Sequence, residues 1–255
     1  MIDLHCHVLP GIDDGSRLLE ETMDMARTAA KNNIDAIVAT PHTLNGFFVN
    51  NWENVVSLTA TAQKAFTAED IPITLYPAME VQVCPELFDA LENGSAVTIN
   101  DNERYLLLEF PPFSMPPGSR DFIYKLRLKG ITPVIAHPER HLVLQNDLQQ
   151  VYDLVRQGAL CQLTALSITG ELGPYVQKSA EEMIKTGLAH IIATDAHSND
   201  LRIPALTSAV YMAADILQDY SRAEKMVTET PAAIIAGGDI VVEEPVLTKK
   251  KWWEF

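Results

Sequence analysis

The feature that most narrows what this chain can fold into is a rhythm: seven short apolar runs alternate with amphipathic stretches, and six of the seven carry His, Asp or Glu at or just beyond their C-terminal ends. The runs cover 2–5, 34–40, 73–79, 104–110, 132–136, 159–164 and 190–194. Most are rich in Val, Ile and Leu without polar alternation, as expected of strands covered on both faces. The stretches between them predict helices. Ser16 is placed to cap one that runs to about Asn32, with Glu20 and Glu21 in its first turn and Leu19, Met23, Ala26 and Ala30 on one face. Others are predicted at about 51–68, 85–92, 119–129, 147–157, 175–187 and 203–218. Repeated strand–helix alternation predicts a parallel sheet, and its periodicity alone does not choose between open and closed forms. Polar residues at the ends of successive strands favour a barrel, which gathers its site there. An open sheet would concentrate them at one switch point.

At 255 residues, one such domain accounts for the whole chain, with a tail from about 245. That tail, Lys249-Lys250-Lys251-Trp252-Trp253-Glu254-Phe255, is basic and aromatic; it reads as a packed terminal extension or as a contact for a partner chain. The net charge of −15 argues against nucleic acid as substrate, because a phosphate backbone calls for basic surface. No apolar run is long enough for a membrane span, and the first residues lack the basic and apolar segments of a signal peptide, so a cytoplasmic location is expected. Three widely spaced cysteines, Cys6, Cys84 and Cys161, suggest neither a disulfide framework nor a thiolate zinc site.

The chemistry sits at the run ends. His5 and His7 are two apart on a strand, so both imidazoles project to one side while Cys6 projects to the other. The turn after them carries Asp13 and Asp14; one can return over the site while the other shapes the turn. His42 follows the second run, Glu80 the third, Glu109 ends the fourth, His137 follows the fifth, and Asp195 and His197 follow the seventh. Singly, each has a bland explanation as a solvated carboxylate or a turn histidine. Together, five of seven histidines and four carboxylates share one end of the predicted strands. His141 and His190 do not fit and are read as structural, His141 being near enough to support the site.

Imidazole and carboxylate without thiolate favour Mn²⁺, Fe²⁺, Zn²⁺ or Mg²⁺. Nine such ligands are too many for one ion and suit two or three, an arrangement that serves hydrolysis of a phosphate ester by metal-bound hydroxide. Arg140 and Arg202, close after His137 and His197, are placed for bidentate contact with phosphate, the alternative for either being a surface ion pair. A thiol mechanism would need an arginine six positions after a cysteine. The residues there are Ile12, Ala90 and Ser167, so a phosphocysteine is disfavoured.

The stretches Ile2-Asp3-Leu4-His5-Cys6-His7-Val8-Leu9-Pro10-Gly11-Ile12-Asp13-Asp14-Gly15-Ser16, Ala39-Thr40-Pro41-His42, Glu80, Leu108-Glu109-Phe110, Ala136-His137-Pro138-Glu139-Arg140, Gln162-Leu163-Thr164-Ala165-Leu166-Ser167 and Thr194-Asp195-Ala196-His197 resemble the polymerase and histidinol phosphatase (PHP) superfamily. More closely, they resemble its bacterial capsule and exopolysaccharide type of manganese-dependent protein-tyrosine phosphatase. The resemblance implies a distorted seven-stranded (β/α)7 barrel and a trinuclear site. One ion would take His5, His7, Glu80 and Asp195; a second Glu80, Glu109 and His137; a third Asp14, His42 and His197. It also implies phosphate binding by Arg140 and Arg202, manganese as the first choice of metal, and a phosphotyrosine protein as substrate, such as the tyrosine-rich tail of a bacterial tyrosine kinase. The segment Ala78-Met79-Glu80-Val81-Gln82 departs from the family in lacking a Gly and a basic residue near the glutamate. Two other readings remain open: a small-molecule phosphatase such as histidinol phosphatase, and a non-enzymatic metal-binding module. If metal chemistry is correct, Cys6→Ser should leave phosphatase rates within about a few-fold of wild type, as its side chain faces away from the site; steady-state kinetics check this, and a dead variant overturns the mechanism.

Overall fold

In the computed structural model, which describes residues 1–247, the apolar runs become parallel strands. They are β1 (Ile2–Cys6), β2 (Ala36–Ala39), β3 (His42–Thr43), β4 (Thr74–Pro77), β5 (Glu80–Gln82), β6 (Tyr105–Glu109), β7 (Thr132–Ala136), β8 (Leu160–Thr164) and β9 (Ile191–Ala193). The tail over 249–255 lies outside the described residues.

The strands divide into a three-stranded sheet, order β1-β2-β4, and a six-stranded sheet, order β3-β5-β6-β7-β8-β9. The α/β class with parallel pairing is as expected; a single seven-stranded ladder is replaced by two sheets. The break is local. Pro41 has no amide hydrogen to give to a ladder, so the second run stops at Ala39 and pairing resumes at His42. The third run breaks opposite it, between Pro77 and Glu80. The two remain neighbours across the gap: Ala78 N–H donates to Ala39 O at 2.9 Å and Glu80 N–H to Pro41 O at 3.0 Å. At the other edge β9 runs into β1, where Asp195 N–H donates to His5 O and His7 N–H to Ala196 O, both at 2.8 Å. The buried Asp3 carboxylate ties the same seam, accepting from Thr194 N at 2.9 Å and Thr194 Oγ1 at 2.5 Å. Burial pushes its carboxyl up to about 6, with the Thr194 bonds pulling against that shift.

Ten helices accompany the strands among the described residues: α1 (Leu19–Lys31), α2 (Trp52–Ala68), α3 (Leu87–Glu92), α4 (Ser119–Leu128), α5 (Leu148–Arg156), α6 (Ala165–Thr169), α7 (Pro174–Lys185), α8 (Thr207–Leu217), α9 (Tyr220–Lys225) and α10 (Glu229–Ile235). The sequence does not predict α6, α9 or α10, which are too short to show a 3.6-residue period. None of the described helices is long and apolar enough to cross a membrane. Ser16 does not cap α1. Its N–H donates to His7 O at 3.0 Å, its carbonyl accepts from Gly11 N, and its hydroxyl donates to Leu18 O at 3.0 Å. Those bonds commit Ser16 to the turn, so the helix starts at Leu19 without a side-chain cap.

Strand alternation sorts the apolar side chains into two cores. Leu106, Leu108, Ile135, Cys161 and Leu163 face outward, packing in one cluster with helix residues such as Met25, Phe66, Ile123 and Met183. Leu4, Val38, Leu107, Val134, Leu160 and Ile191, drawn from both sheets, meet in an inner cluster with Ile234 and Ile235 of α10. The strands' polar C-terminal ends lie beyond this inner cluster. There the turn after β1 folds back tightly: a Cβ added to Gly15 would fall 2.1 Å from His7 O and 2.5 Å from His7 Cβ. Overpacking against backbone cannot be relieved by a rotamer change, so Gly15→Ala should lower the unfolding free energy by about 2–3 kcal/mol. Urea denaturation reads this; an unchanged midpoint would mean the turn yields freely.

Candidate metal centre

The strand ends carry the functional side chains inward. His5 lies on β1 and His7 just beyond it, and both are wholly buried. Glu80 opens β5 and Glu109 closes β6, while His42 opens β3 directly opposite Glu80 in the ladder. His137 and Asp195, immediately beyond β7 and near the end of β9, have φ of +34° and +52°, in the left-handed region that non-glycine residues rarely enter. Such strain collects where a site over-determines the backbone. Here it turns the chain at the end of the strand.

Two side chains set the rings on β1. His5 Nδ1–H donates to Gln162 Oε1 at 2.9 Å and His7 Nδ1–H to Asp13 Oδ2 at 2.7 Å. With those protons placed, both Nε2 lone pairs face the centre, where they stand 3.1 Å apart. Glu80 Oε2 is 3.4 Å from each of them, and Asp195 Oδ1 is 3.5 Å from His5 and 3.4 Å from His7. Glu80 Oε2 also lies 2.9 Å from His42 Nδ1, yet neither atom has an aligned hydrogen bond; both are buried orphans. Glu80 Oε1 meets His137 Nε2 at 3.0 Å, and Glu109 Oε1 is 3.8 Å from the same nitrogen. Asp14, about half exposed, places Oδ1 3.5 Å from Nε2 of both His42 and His197.

These facing lone pairs and orphaned atoms fit a cation. Donor atoms fall within 4.8 Å of one another in three overlapping groups: His7, Asp14, His42 and His197; His5, His7 and Glu80; and His42, Glu80 and Glu109. Oxygen and imidazole nitrogen without sulfur suit borderline-to-hard divalent ions. Burying Glu80 and Asp195 as bare charges would be costly without a counter-charge. In the metal-free protein, protons fill part of that role. Burial works against charge on His5 and His7, but Glu80, Asp195 and, at His7, Asp13 outweigh it and hold both imidazoles above their ordinary pKa. Burial and the neighbouring Glu80 charge push Glu109 up to about 7, so near neutral pH it is protonated only in part, and an entering cation would favour its ionised form.

All nine sequence-predicted ligands, His5, His7, Asp14, His42, Glu80, Glu109, His137, Asp195 and His197, come together at this one end. Arg140 and Arg202 join them, both on Asp195 Oδ2, Arg202 Nη2 at 2.6 Å. His190 lies apart: its Nδ1 accepts from Cys161 N, and burial lowers it to about 4. His141 braces the loop after β6, its Nε2 2.8 Å from Pro111 O. Residue types alone leave the separate tasks of Asp13 and Asp14 open, the family resemblance giving Asp14 to an ion, and nothing in the sequence singles out Asp13 as the partner of His7 or Gln162 as the partner of His5. The signals available for Gln162 are its place in the family-like stretch 162–167 and its polarity inside a largely apolar strand.

Comparisons with known proteins bear on this geometry. The family model described as capsular polysaccharide synthesis, CpsB/CapC, matches residues 1–236. Tyrosine-protein phosphatase YwqE of Bacillus subtilis (strain 168) is 32% identical over 252 residues, spanning 98% of this chain and 98% of the relative. Tyrosine-protein phosphatase CpsB of Streptococcus pneumoniae is 28% identical over 243 residues, spanning 92% of this chain and 98% of the relative. A solved structure, from work on YwqE and CpsB of those species as unique metal-dependent tyrosine phosphatases, superposes with a TM-score of 0.92 at 32% identity. That match covers 98% of this chain and 100% of the other.

Because Asp13 fixes the His7 ring, Asp13→Ala should weaken divalent-metal affinity by about 10–100-fold, the usual effect of removing a partner behind a ligand. Titration calorimetry with Mn²⁺ measures this, and unchanged affinity would show that His7 needs no such support.

Proposed function

Since the chain belongs to the CpsB/CapC family, we propose that it hydrolyses phosphotyrosine on proteins, acting in the cytoplasm in the control of capsular or exopolysaccharide synthesis. It is a metal-dependent protein-tyrosine phosphatase. The observation that carries this reading is the convergence of nine imidazole and carboxylate side chains: seven form three overlapping groups, and His137 and Asp195 adjoin them through Glu80 and the His5–His7 pair. His5, His7, Glu80 and Asp195 would hold one ion, Glu80, Glu109 and His137 a second, and Asp14, His42 and His197 a third, with Glu80 shared. Manganese is the first choice; Fe²⁺, Zn²⁺ and Mg²⁺ suit the same donors. Two features support reading the two sheets as one distorted seven-stranded barrel of the PHP type. Strands of both sheets feed the inner cluster, and backbone bonds join β9 to β1.

When bound, the ions neutralise phosphoryl charge and lower the pKa of water. The protein's own groups do the rest. Asp13 and Gln162 hold the His7 and His5 rings with Nε2 inward. Arg140 and Arg202, each about 30% exposed, rest on Asp195 and keep other N–H groups for phosphate oxygens, the bidentate contact that guanidinium favours. The leaving tyrosine phenolate, with a pKa of about 10, is good enough that no strong general acid is required. The cysteines are poor nucleophiles: burial pushes the thiols of Cys6 and Cys161 up, and Cys84 is also raised. A tyrosine-rich kinase tail is a substrate of suitable chemistry.

The test compares a phosphotyrosine peptide with histidinol phosphate, using chelator-stripped protein reloaded with Mn²⁺. We expect activity to return with the metal, the peptide to be preferred, and Asp195→Asn to lower kcat at least about 10²–10³-fold, the scale of losing a charge-stabilising group. Circular dichroism should be unchanged. Preference for histidinol phosphate, or activity that survives chelation, would overturn the proposal.

A further inference from the structure

Two loops at the mouth of the site carry exposed aromatic rings: Phe47 is 89% exposed and Phe113 is 78% exposed. Isolated surface phenylalanines need no explanation, but the placement and construction of these two do. The Phe47 loop leaves β3 directly after His42 and Thr43, and the Phe113 loop leaves β6 directly after Glu109. In the sheet, β3 and β6 flank β5, which carries Glu80. Neighbouring strands are about 4.8 Å apart, so the loops start about 10 Å from each other, one on each side of the carboxylate. A planar ring with a contact on both faces needs about 7 Å.

Both loops are braced. Asn45 Oδ1 accepts from Phe47 N at 3.0 Å and Phe48 N at 2.8 Å, while buried Asn50 donates to His42 O at 2.8 Å and Ile12 O at 3.0 Å. Leu44 holds a φ of +59° to make the turn. Phe48 stacks on the His42 imidazole, with centroids 6.0 Å apart and planes 7° from parallel. Opposite, His141 lies within hydrogen-bonding distance of Pro111 O and Ser114 O, and Leu142 N donates to Pro112 O at 3.0 Å. Neither loop contains a charged residue, over 44–51 or over 110–118, in a chain where 21% of residues are charged. Neutral, braced aromatic walls beside a phosphate-ester site match an uncharged aryl group.

Building on the phosphatase reading above, we propose that Phe47, Phe48 and Phe113 form an aryl clamp that receives the phenyl ring of the tyrosyl phosphate and sets a preference for aryl over alkyl phosphate esters. The clamp works by stacking and burial of the ring, and each wall acts before any bond changes. Its effect therefore falls on binding.

Manganese-loaded protein tests this by titration calorimetry with phenylphosphonate and methylphosphonate, which share a phosphonate and differ in the ring. Wild type should bind the phenyl compound at least about tenfold more tightly, the scale of an aromatic contact and its buried area. Phe47→Ala and Phe113→Ala should each reduce that ratio several-fold. Phe48→Leu, which keeps an apolar side chain over His42, should reduce it as well. With a phosphotyrosine peptide, the same variants should raise KM with kcat changed less than about twofold. Equal affinity of wild type for the two phosphonates, or variants that weaken both equally, would overturn the clamp. Absence of phosphotyrosine turnover with an intact phenyl preference would instead overturn the phosphatase reading and leave the clamp standing.

Discussion

The structure depends on one buried charge. Glu80 is wholly inaccessible, yet its two oxygens lie within 3.4 Å of four imidazoles from three separate places in the chain: His5 and His7, His42, and His137. Its carboxyl is held well below the ordinary range; burial alone would raise it, but the surrounding imidazoles prevail. A carboxylate so placed is tolerable only if the strands bearing those rings end at the same level. The parallel pairing and the β1–β9 seam bring the strand ends together. The fold and the charge cluster are thus two descriptions of one constraint.

Surrounding residues convert this cluster into a directed site. Asp13 and Gln162 settle which nitrogen of His7 and His5 carries hydrogen, and so which one is free to act as a donor to an ion. Arg140 and Arg202, both resting on Asp195, counter the excess negative charge. The aromatic loops after β3 and β6 lie outside the ionic core and add selectivity of a different, apolar kind. Charge holds the centre together; shape and hydrophobicity guard its entrance.

Much of this was legible in the amino-acid sequence, for identifiable reasons. The run ends His42, Glu80, Glu109, His137 and Asp195 stood out because each interrupts or follows an apolar strand, where a polar group has no packing role. Spacing placed His5 and His7 on one side of β1. What escaped prediction depended on contacts distant in sequence. Gln162 partners a histidine 157 residues away, and while the family resemblance gave Asp14 to an ion, the role of Asp13 became visible only once His7 was placed. The break at Pro41 was visible as a proline, but its effect on the ladder required the partner strand. Ser16 is a residue type favoured as a helix cap, with acidic residues in the turn that follows, and the turn's return to His7 overrides that preference. Short α10 seals the inner core with Ile234 and Ile235, a purely tertiary role for seven residues.

The left-handed backbone at His137 and Asp195 has a consequence for how such a protein can change over generations. A replacement at either position must satisfy two unrelated demands: offering a donor atom and tolerating positive φ. Branched and bulky residues fail the second, and glycine fails the first. The alphabet open to drift shrinks to a few short polar residues, chiefly Asn, Asp and His. New specificities are therefore easier to reach through the surrounding loops than through these two strand ends, which act as fixed points while their surroundings diversify.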